Sequence, residues 1–197
     1  MASSTRIPAT EVTGVQGGLV KAVSRRIFGR VPRSIGVMWH HPAVFRALMA
    51  LGRKSESWHR LDRDLATYAS MTAAGVIGCG FCLDLHYFMS HHRGLDVAKA
   101  REVPRWRESA VFTPLERRVM EYAEAMGATP PAVPDELSAA LLADLGAPAL
   151  VELTARVGAM NLSARTNVAL GIRSEEFSAS CGLPPLAGRP VDGRTAA

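Results

Sequence analysis

The stretch from Leu61 to His86, LDRDLATYASMTAAGVIGCGFCLDLH, constrains the fold more than any other. Asp62 has the side chain of a helix N-cap, able to accept from the free N–H groups of a first turn. The spacing behind it predicts a helix over 63–77, rich in small residues, so that another helix can approach closely. Gly78 breaks it. A second helix opens at once, over 79–92, and Gly94 stops it. The same punctuation recurs along the chain. A short basic amphipathic helix is expected over 18–30, with Leu19, Val23 and Ile27 at helical spacing and Pro32 beyond its end. Pro42 suits the first turn of another, whose stripe is Val44, Leu48 and Leu51. Thr113–Glu116 reads as a capping box with Pro at the first helical position, opening a helix to about Met126. DELSAALLADLG is a short helix closed by Gly146. The segment 148–172 is a long one, with Leu150, Leu153, Val157, Met160, Ala164 and Val168 stepping by three or four. No alternating strand of useful length appears, so the expected fold is all-α. Its parts are a basic arm (1–30), a helical domain (31–174) and an irregular tail (175–197).

Charge is unevenly placed. Residues 1–60 hold ten Lys and Arg against two Glu, a net +8, and the remainder carries −3. A basic arm can meet nucleic acid or anionic lipid. No helix-turn-helix, finger or aromatic-rich strand pattern is present to read bases, so neither nucleic acid nor membrane is the expected partner. The arm reads instead as solvated, or packed on an acidic neighbouring subunit. No apolar run approaches the ~18–20 residues that a spanning helix needs. The N-terminus has no apolar core of a secretory signal, so the cytoplasm is the expected compartment, and there thiols stay reduced.

The chemistry concentrates in GCGFCLDLH. On a helix, Cys79, Cys82 and His86 fall at i, i+3 and i+7, on one face. Cys82 and His86 are about one turn apart, within reach of a hydrogen bond. Cys79 sits in the first turn, where free N–H groups and the helix dipole favour an anion. A thiolate is such an anion, and it is the reactive form. Haem attachment wants histidine directly after the second cysteine, where Leu83 stands. Structural zinc wants four ligands, and no second Cys-x-x-Cys exists; His91 and His92 fall at the helix end. No metal or cofactor is expected. The plain alternative is a pair of buried cysteines with a satisfied histidine, and the helix-start placement argues against it.

Leu61–His86 resembles the carboxymuconolactone decarboxylase superfamily, in its alkylhydroperoxidase D-like branch. The upstream MWHHPAVFRALMAL and the last long helix with Asn161 and Arg165 fit the same pattern, and the likeness spans roughly residues 30–175. It implies an all-helical fold assembled as a homotrimer or a multiple of one. It implies a dithiol that reduces hydroperoxides and is restored by a dithiol reductant, a lipoylated or thioredoxin-like protein. The family relay also has a glutamate twelve residues before the first cysteine. Here that position is Thr67, and Phe81 stands where the best-studied branch has histidine between the cysteines. Thr67 cannot serve as a carboxylate base; Asp64, one turn earlier, is a possible substitute. Without the carboxylate, His86 is expected near its ordinary pKa of ~6.5, peroxide reduction is expected to be slow, and Thr67→Glu to raise the rate at least ~10-fold.

The leading expectation is thus a peroxidase or disulfide reductase. Cys82 beside His86 attacks and Cys79 resolves, though the helix start favours Cys79 as the first nucleophile and the order stays open. Two alternatives remain: a small-molecule isomerase or decarboxylase-like lyase that reuses His86, and a non-enzymatic redox sensor. His40 and His41 read as surface or capping groups, Asn161 and Arg165 as a buried pair that fixes packing, Asp84 as solvated, and Cys181 as an unpaired bystander.

Overall fold

A computed structural model describes residues 5–188; the first four residues of the arm and the last nine of the tail lie outside the described residues. The elements are α1 (Gly14–Phe28), α2 (Arg33–Met38), α3 (Pro42–Glu56), α4 (Arg63–Ile77), α5 (Gly80–His92), α6 (Val97–Glu102), which tightens into a 3-10 turn at Val103–Arg105, α7 (Pro114–Gly127), α8 (Asp135–Ala169) and α9 (Phe177–Ser180). Among the described residues there is no strand, and the fold is all-α as expected.

α4 is the centre. Asp62 caps it, its Oδ1 accepting from the N–H groups of Asp64 at 2.8 Å and Leu65 at 3.2 Å. Every residue from Leu65 to Ala74 is buried. Small side chains make this possible: α7, α8 and α5 all pack on α4. A Cβ on Gly127, at the end of α7, would lie 3.3 Å from the Val76 side chain, so glycine there permits the close approach. α7 starts with the expected capping box between Thr113 and Glu116. Gly146 stops the first part of α8 with φ 75° and ψ 160°, and Pro148 starts the second, so the two helices expected from the sequence follow one another across a kink. The inner stripe of the second part is Leu153, Val157, Met160 and Ala164, but Val168 stays 38% exposed and off it.

α8 also departs from the expectation that nothing here is apolar enough to cross a bilayer. By length and composition it is, with mean hydropathy 1.4 over its most apolar 18 residues. Leu153 and Val157 are wholly buried against α4 and α7, while Val151 and Leu162 give the outer face its apolar character.

A buried carboxylate ties α8 to the start of α4. Glu152 accepts from the backbone N–H of Arg60 at 2.7 Å and Leu61 at 3.2 Å, and from Arg156 Nε at 2.9 Å. Burial opposes its charge, yet these three donors more than offset that, and its pKa is lowered.

The chain ends are more structured than their sequence suggests. Asp84, expected to be solvated, is 5% exposed. Its Oδ2 accepts from Ser174 Oγ at 2.9 Å and Phe177 N–H at 2.9 Å; its Oδ1 accepts from Ser178 N–H at 3.0 Å and Ser178 Oγ at 2.6 Å. The carboxylate of α5 therefore caps α9 from across the molecule. Phe177 is buried with its ring centroid 4.8 Å from Phe28 of α1 and 5.9 Å from Phe81 of α5. Glu175 accepts from the N–H groups of Arg33 and Ser34, both at 2.9 Å, and pairs with Arg30 at 3.2 Å. Arm and tail thus meet over α5. No periodicity announces this contact, because a four-residue helix is too short to show one.

Candidate functional site

The α4–α5 turn builds the site. Gly78, at φ 79°, reverses the chain after α4. Cys79 then becomes the N-cap of α5 rather than its first residue. An N-cap side chain is aimed at the unpaired N–H groups of the first turn, and Cys79 Sγ accepts from the N–H of Cys82 at 3.3 Å. The two sulfurs stand 2.8 Å apart. Both cysteines are free thiols, buried at 1% and 3% exposure. The contact is a thiol–thiol hydrogen bond, and the donor is whichever sulfur carries the proton. Asn167 of α8 completes the site, its Nδ2 donating to Cys82 Sγ at 3.3 Å.

The electrostatics separate the two thiols. The Cys82 thiol lowers the pKa of Cys79; burial opposes this, and the Cys82 N–H, Asn167 and the Phe81 N–H reinforce it. Cys82 moves the other way, raised by its bond to Cys79 and then by burial. When one proton is lost from the pair, these opposite shifts favour the charge on Cys79, at the helix start, and keep the remaining proton on Cys82.

His86 is not part of this contact. No hydrogen bond joins it to either sulfur among the described residues, contrary to the expected Cys82–His86 pair. The ring is half-buried. Burial lowers its pKa to about 4, with Glu56 opposing and Arg93 and Arg156 reinforcing the drop. The expectation of an ordinary histidine pKa is therefore corrected: the imidazole is neutral at pH 7. The charges that act on it are the Glu56–Arg93 ion pair, closed at 2.8 Å, and Arg156.

The other sequence candidates lie elsewhere. Thr67 is buried, and its hydroxyl donates to Arg63 O of its own helix at 2.9 Å. Asp64 makes no side-chain hydrogen bond to Cys79, Cys82 or His86 among the described residues; its pKa is raised by burial and then by Asp62 of its own helix start and by Glu116 and Asp96 of the α6–α7 side. His41 Nδ1 accepts from Val44 N–H and caps α3, while His40 bonds Pro8 O. Arg165 ties α8 to the end of α7 through Gly127 O and Thr129 Oγ1, whereas Asn161 Nδ2 donates to Val157 O of its own helix. Cys181 is exposed and unpaired. No cluster of three metal-binding side chains occurs among the described residues.

Asn167 is the functional residue that the sequence reading missed. The stripe Val157, Met160, Ala164 can continue by three to Asn167 or by four to Val168. Hydrophobicity selected Val168, and the structure selects Asn167, the polar residue facing a polar site.

Known proteins match this architecture. The family model for the carboxymuconolactone decarboxylase family matches residues 42–125. The uncharacterized protein YnjA of Escherichia coli K12 is 36% identical over 161 residues, 81% of this chain and 87% of YnjA. ATU0492 of Agrobacterium tumefaciens, a protein of unknown function whose suggested role is AhpD antioxidant defence, is 28% identical; it superposes with a TM-score of 0.65 over 70% of this chain and 94% of its own. Two more distant structures share the fold: a peroxidase-related protein with an AhpD core from Ralstonia eutropha JMP134 (18% identity, TM-score 0.77, 88% of this chain and 94% of that one) and the debrominase Bmp8 in complex with 2,3,4-tribromopyrrole (17% identity, TM-score 0.77, 91% and 96%). With the identity to YnjA carried over four-fifths of its length, and the Cys-x-x-Cys turn set between two packed helices, the chain belongs to the carboxymuconolactone decarboxylase family, in its AhpD-like branch.

Proposed function

We propose that the protein is a dithiol peroxidase that reduces hydroperoxides, with Cys79 as the nucleophile. The observation that carries this is the placement of Cys79 Sγ on the N-terminus of α5, 2.8 Å from the Cys82 sulfur. Cys79 thiolate attacks the distal peroxide oxygen and the O–O bond breaks. The alkoxide takes the Cys82 thiol proton and leaves as an alcohol. Cys79 is now a sulfenic acid. The Cys82 thiolate attacks it, the S–O bond breaks, hydroxide takes a solvent proton, and a disulfide and water result. Closing that disulfide to ~2.05 Å needs less than ~1 Å of sulfur movement. A reduced dithiol, on a lipoylated or thioredoxin-like protein, returns the two electrons. Asn167 holds the Cys82 sulfur in line, and neutral His86 is free to accept a proton from an incoming thiol.

Self-association accompanies this reading. α1 turns Gly17 and Ser24 inward and leaves Val15, Leu19, Val23 and Ile27 outward, beside Arg25 and Arg26. A second copy, with the net −3 of its residues 61–197, suits that basic apolar face, and a trimer is the proposed state. Light scattering showing only a 21.1 kDa species at micromolar concentration would refute it.

The test of the chemistry is dimedone trapping after one equivalent of peroxide. In Cys82→Ser the adduct should form on Cys79, while Cys79→Ser should react at least ~10-fold more slowly. Faster trapping on Cys82 than on Cys79 would reverse the assigned order. Peroxide consumption unaffected by replacing both cysteines would remove the thiol mechanism and favour the lyase alternative.

A further inference from the structure

A cavity lies beside α4. It holds about 200 Å³, between the last turns of α4, the 3-10 turn and the tail. Its walls are mainly apolar: Met71, Val76, Leu83, Val103, Trp106 and Leu186. None of Cys79, Cys82 and His86 lines it. The tail is bonded down over it: Tyr87 Oη donates to Pro184 O at 3.0 Å, Arg101 Nε to Pro185 O at 2.8 Å, and Ala187 N–H to Arg101 O at 3.0 Å.

Two polar groups face this space. Thr72 lines it, is 5% exposed, and its hydroxyl has no hydrogen-bond partner. That is unusual for a buried hydroxyl. A helical threonine has an easy partner in the carbonyl four residues back, and Thr67, Thr154 and Thr166 each take theirs. Thr72 does not. The second group is Glu124. Its Oε2 accepts from Trp106 Nε1 at 3.2 Å and pairs with Arg107 at 3.4 Å, which leaves Oε1 as an acceptor. Gly75 shares the wall, and a Cβ there would meet nothing within 4 Å.

We propose that this cavity binds a small aromatic alcohol, a simple phenol in size and polarity, at a site separate from the dithiol. At ~30 Å³ for each water displaced, the space takes about seven waters, or a single ring with one or two substituents. The ring packs on Trp106 and the Met71 thioether. Its hydroxyl donates to Glu124 Oε1 and accepts from Thr72 Oγ1, giving the orphan hydroxyl its partner.

The probe is 4-fluorophenol, followed by fluorine NMR on the full chain. Saturable binding is expected, with a dissociation constant below ~1 mM. Fluorobenzene, which lacks the hydroxyl, should bind at least ~5-fold more weakly. Thr72→Val keeps the shape and removes the hydroxyl; it should weaken 4-fluorophenol ~5–20-fold without lowering the unfolding temperature, since no existing bond is lost. Gly75→Leu should fill the cavity and abolish binding while the helical circular dichroism is retained. Replacing both Cys79 and Cys82 by serine should leave binding unchanged, which separates this site from the thiol chemistry. No saturable binding to the native chain, equal binding to Thr72→Val, or undiminished binding to Gly75→Leu would each overturn the proposal.

Discussion

Two buried carboxylates do similar work in different ways. Glu152 on α8 and Asp84 on α5 each hold the backbone of a segment about ninety residues away. Glu152 has an arginine to balance it, and Arg156, its side chain 11% exposed, donates to Trp58 O at 2.9 Å and lies over the Trp58 ring. Asp84 is held by four neutral donors and pairs with no cation among the described residues. The first anchors the approach to the central helix, so its loss reaches the whole core. The second anchors a tail over the dithiol helix, so its loss is local. A buried carboxylate thus stabilises as much as the segment it holds is needed by the rest.

The sharpest way to break this comparison is Glu152→Ala. It strands a largely enclosed arginine and two N–H groups, and ~3–5 kcal/mol should be lost. For a chain of this size that lowers Tm by roughly 6–20 °C, measured by calorimetry. Asp84→Ala should cost about 2–4 kcal/mol, but with a different signature. Residues 174–188 should become protease-sensitive under conditions where α4 and α8 amides remain protected from exchange. If both variants unfold as one unit, the distinction between core anchor and tail anchor is wrong.

Acid sharpens the comparison further. The folded pKa of His86 is depressed to about 4 from an unfolded value of ~6.5, so its contribution is present above pH ~6.5 and lost as pH falls toward 4. Glu152 is also depressed, so its contribution is present above its unfolded pKa of ~4.3 and lost as pH falls through the lower folded value. Tm should therefore fall in two stages on acidification. His86→Gln should flatten the upper stage, and Glu152→Gln the lower. The smallest effect belongs to Asn167→Ala. It removes one neutral hydrogen bond from the dithiol, and thiol alkylation rates should change by no more than ~10-fold. A change beyond ~100-fold would make Asn167 a principal determinant of thiol reactivity.

Much of this was legible from local chemistry. Asp62, Gly78, Thr113 and Gly146 mark helix ends because a cap acts on its own neighbours. The Cys79–Cys82 pair was legible for the same reason. What lay hidden needed partners far away in sequence. Asp84 reads as a surface residue until Ser174 and Ser178 are brought to it. Asn167 reads as the polar neighbour of a hydrophobic stripe until Cys82 is placed opposite. His86 carries an ordinary pKa until α3 and α8 close around it. Thr72 reads as one more small residue of a packed helix, and only the cavity beside it shows its hydroxyl to be unpartnered.

The family-matched segment, residues 42–125, crosses both anchors without containing either one whole. Asp84 lies inside it and Ser174, Phe177 and Ser178 outside; Arg60 and Leu61 lie inside and Glu152 outside. A protein cut to that segment would carry a carboxylate with no donors and two N–H groups with no acceptor, all designed for a dry interior. The boundaries of recognisable ancestry are therefore not boundaries at which this chain can be divided. Truncations for crystallisation, fusion partners and transplanted domains should all spare the chain through Ser178.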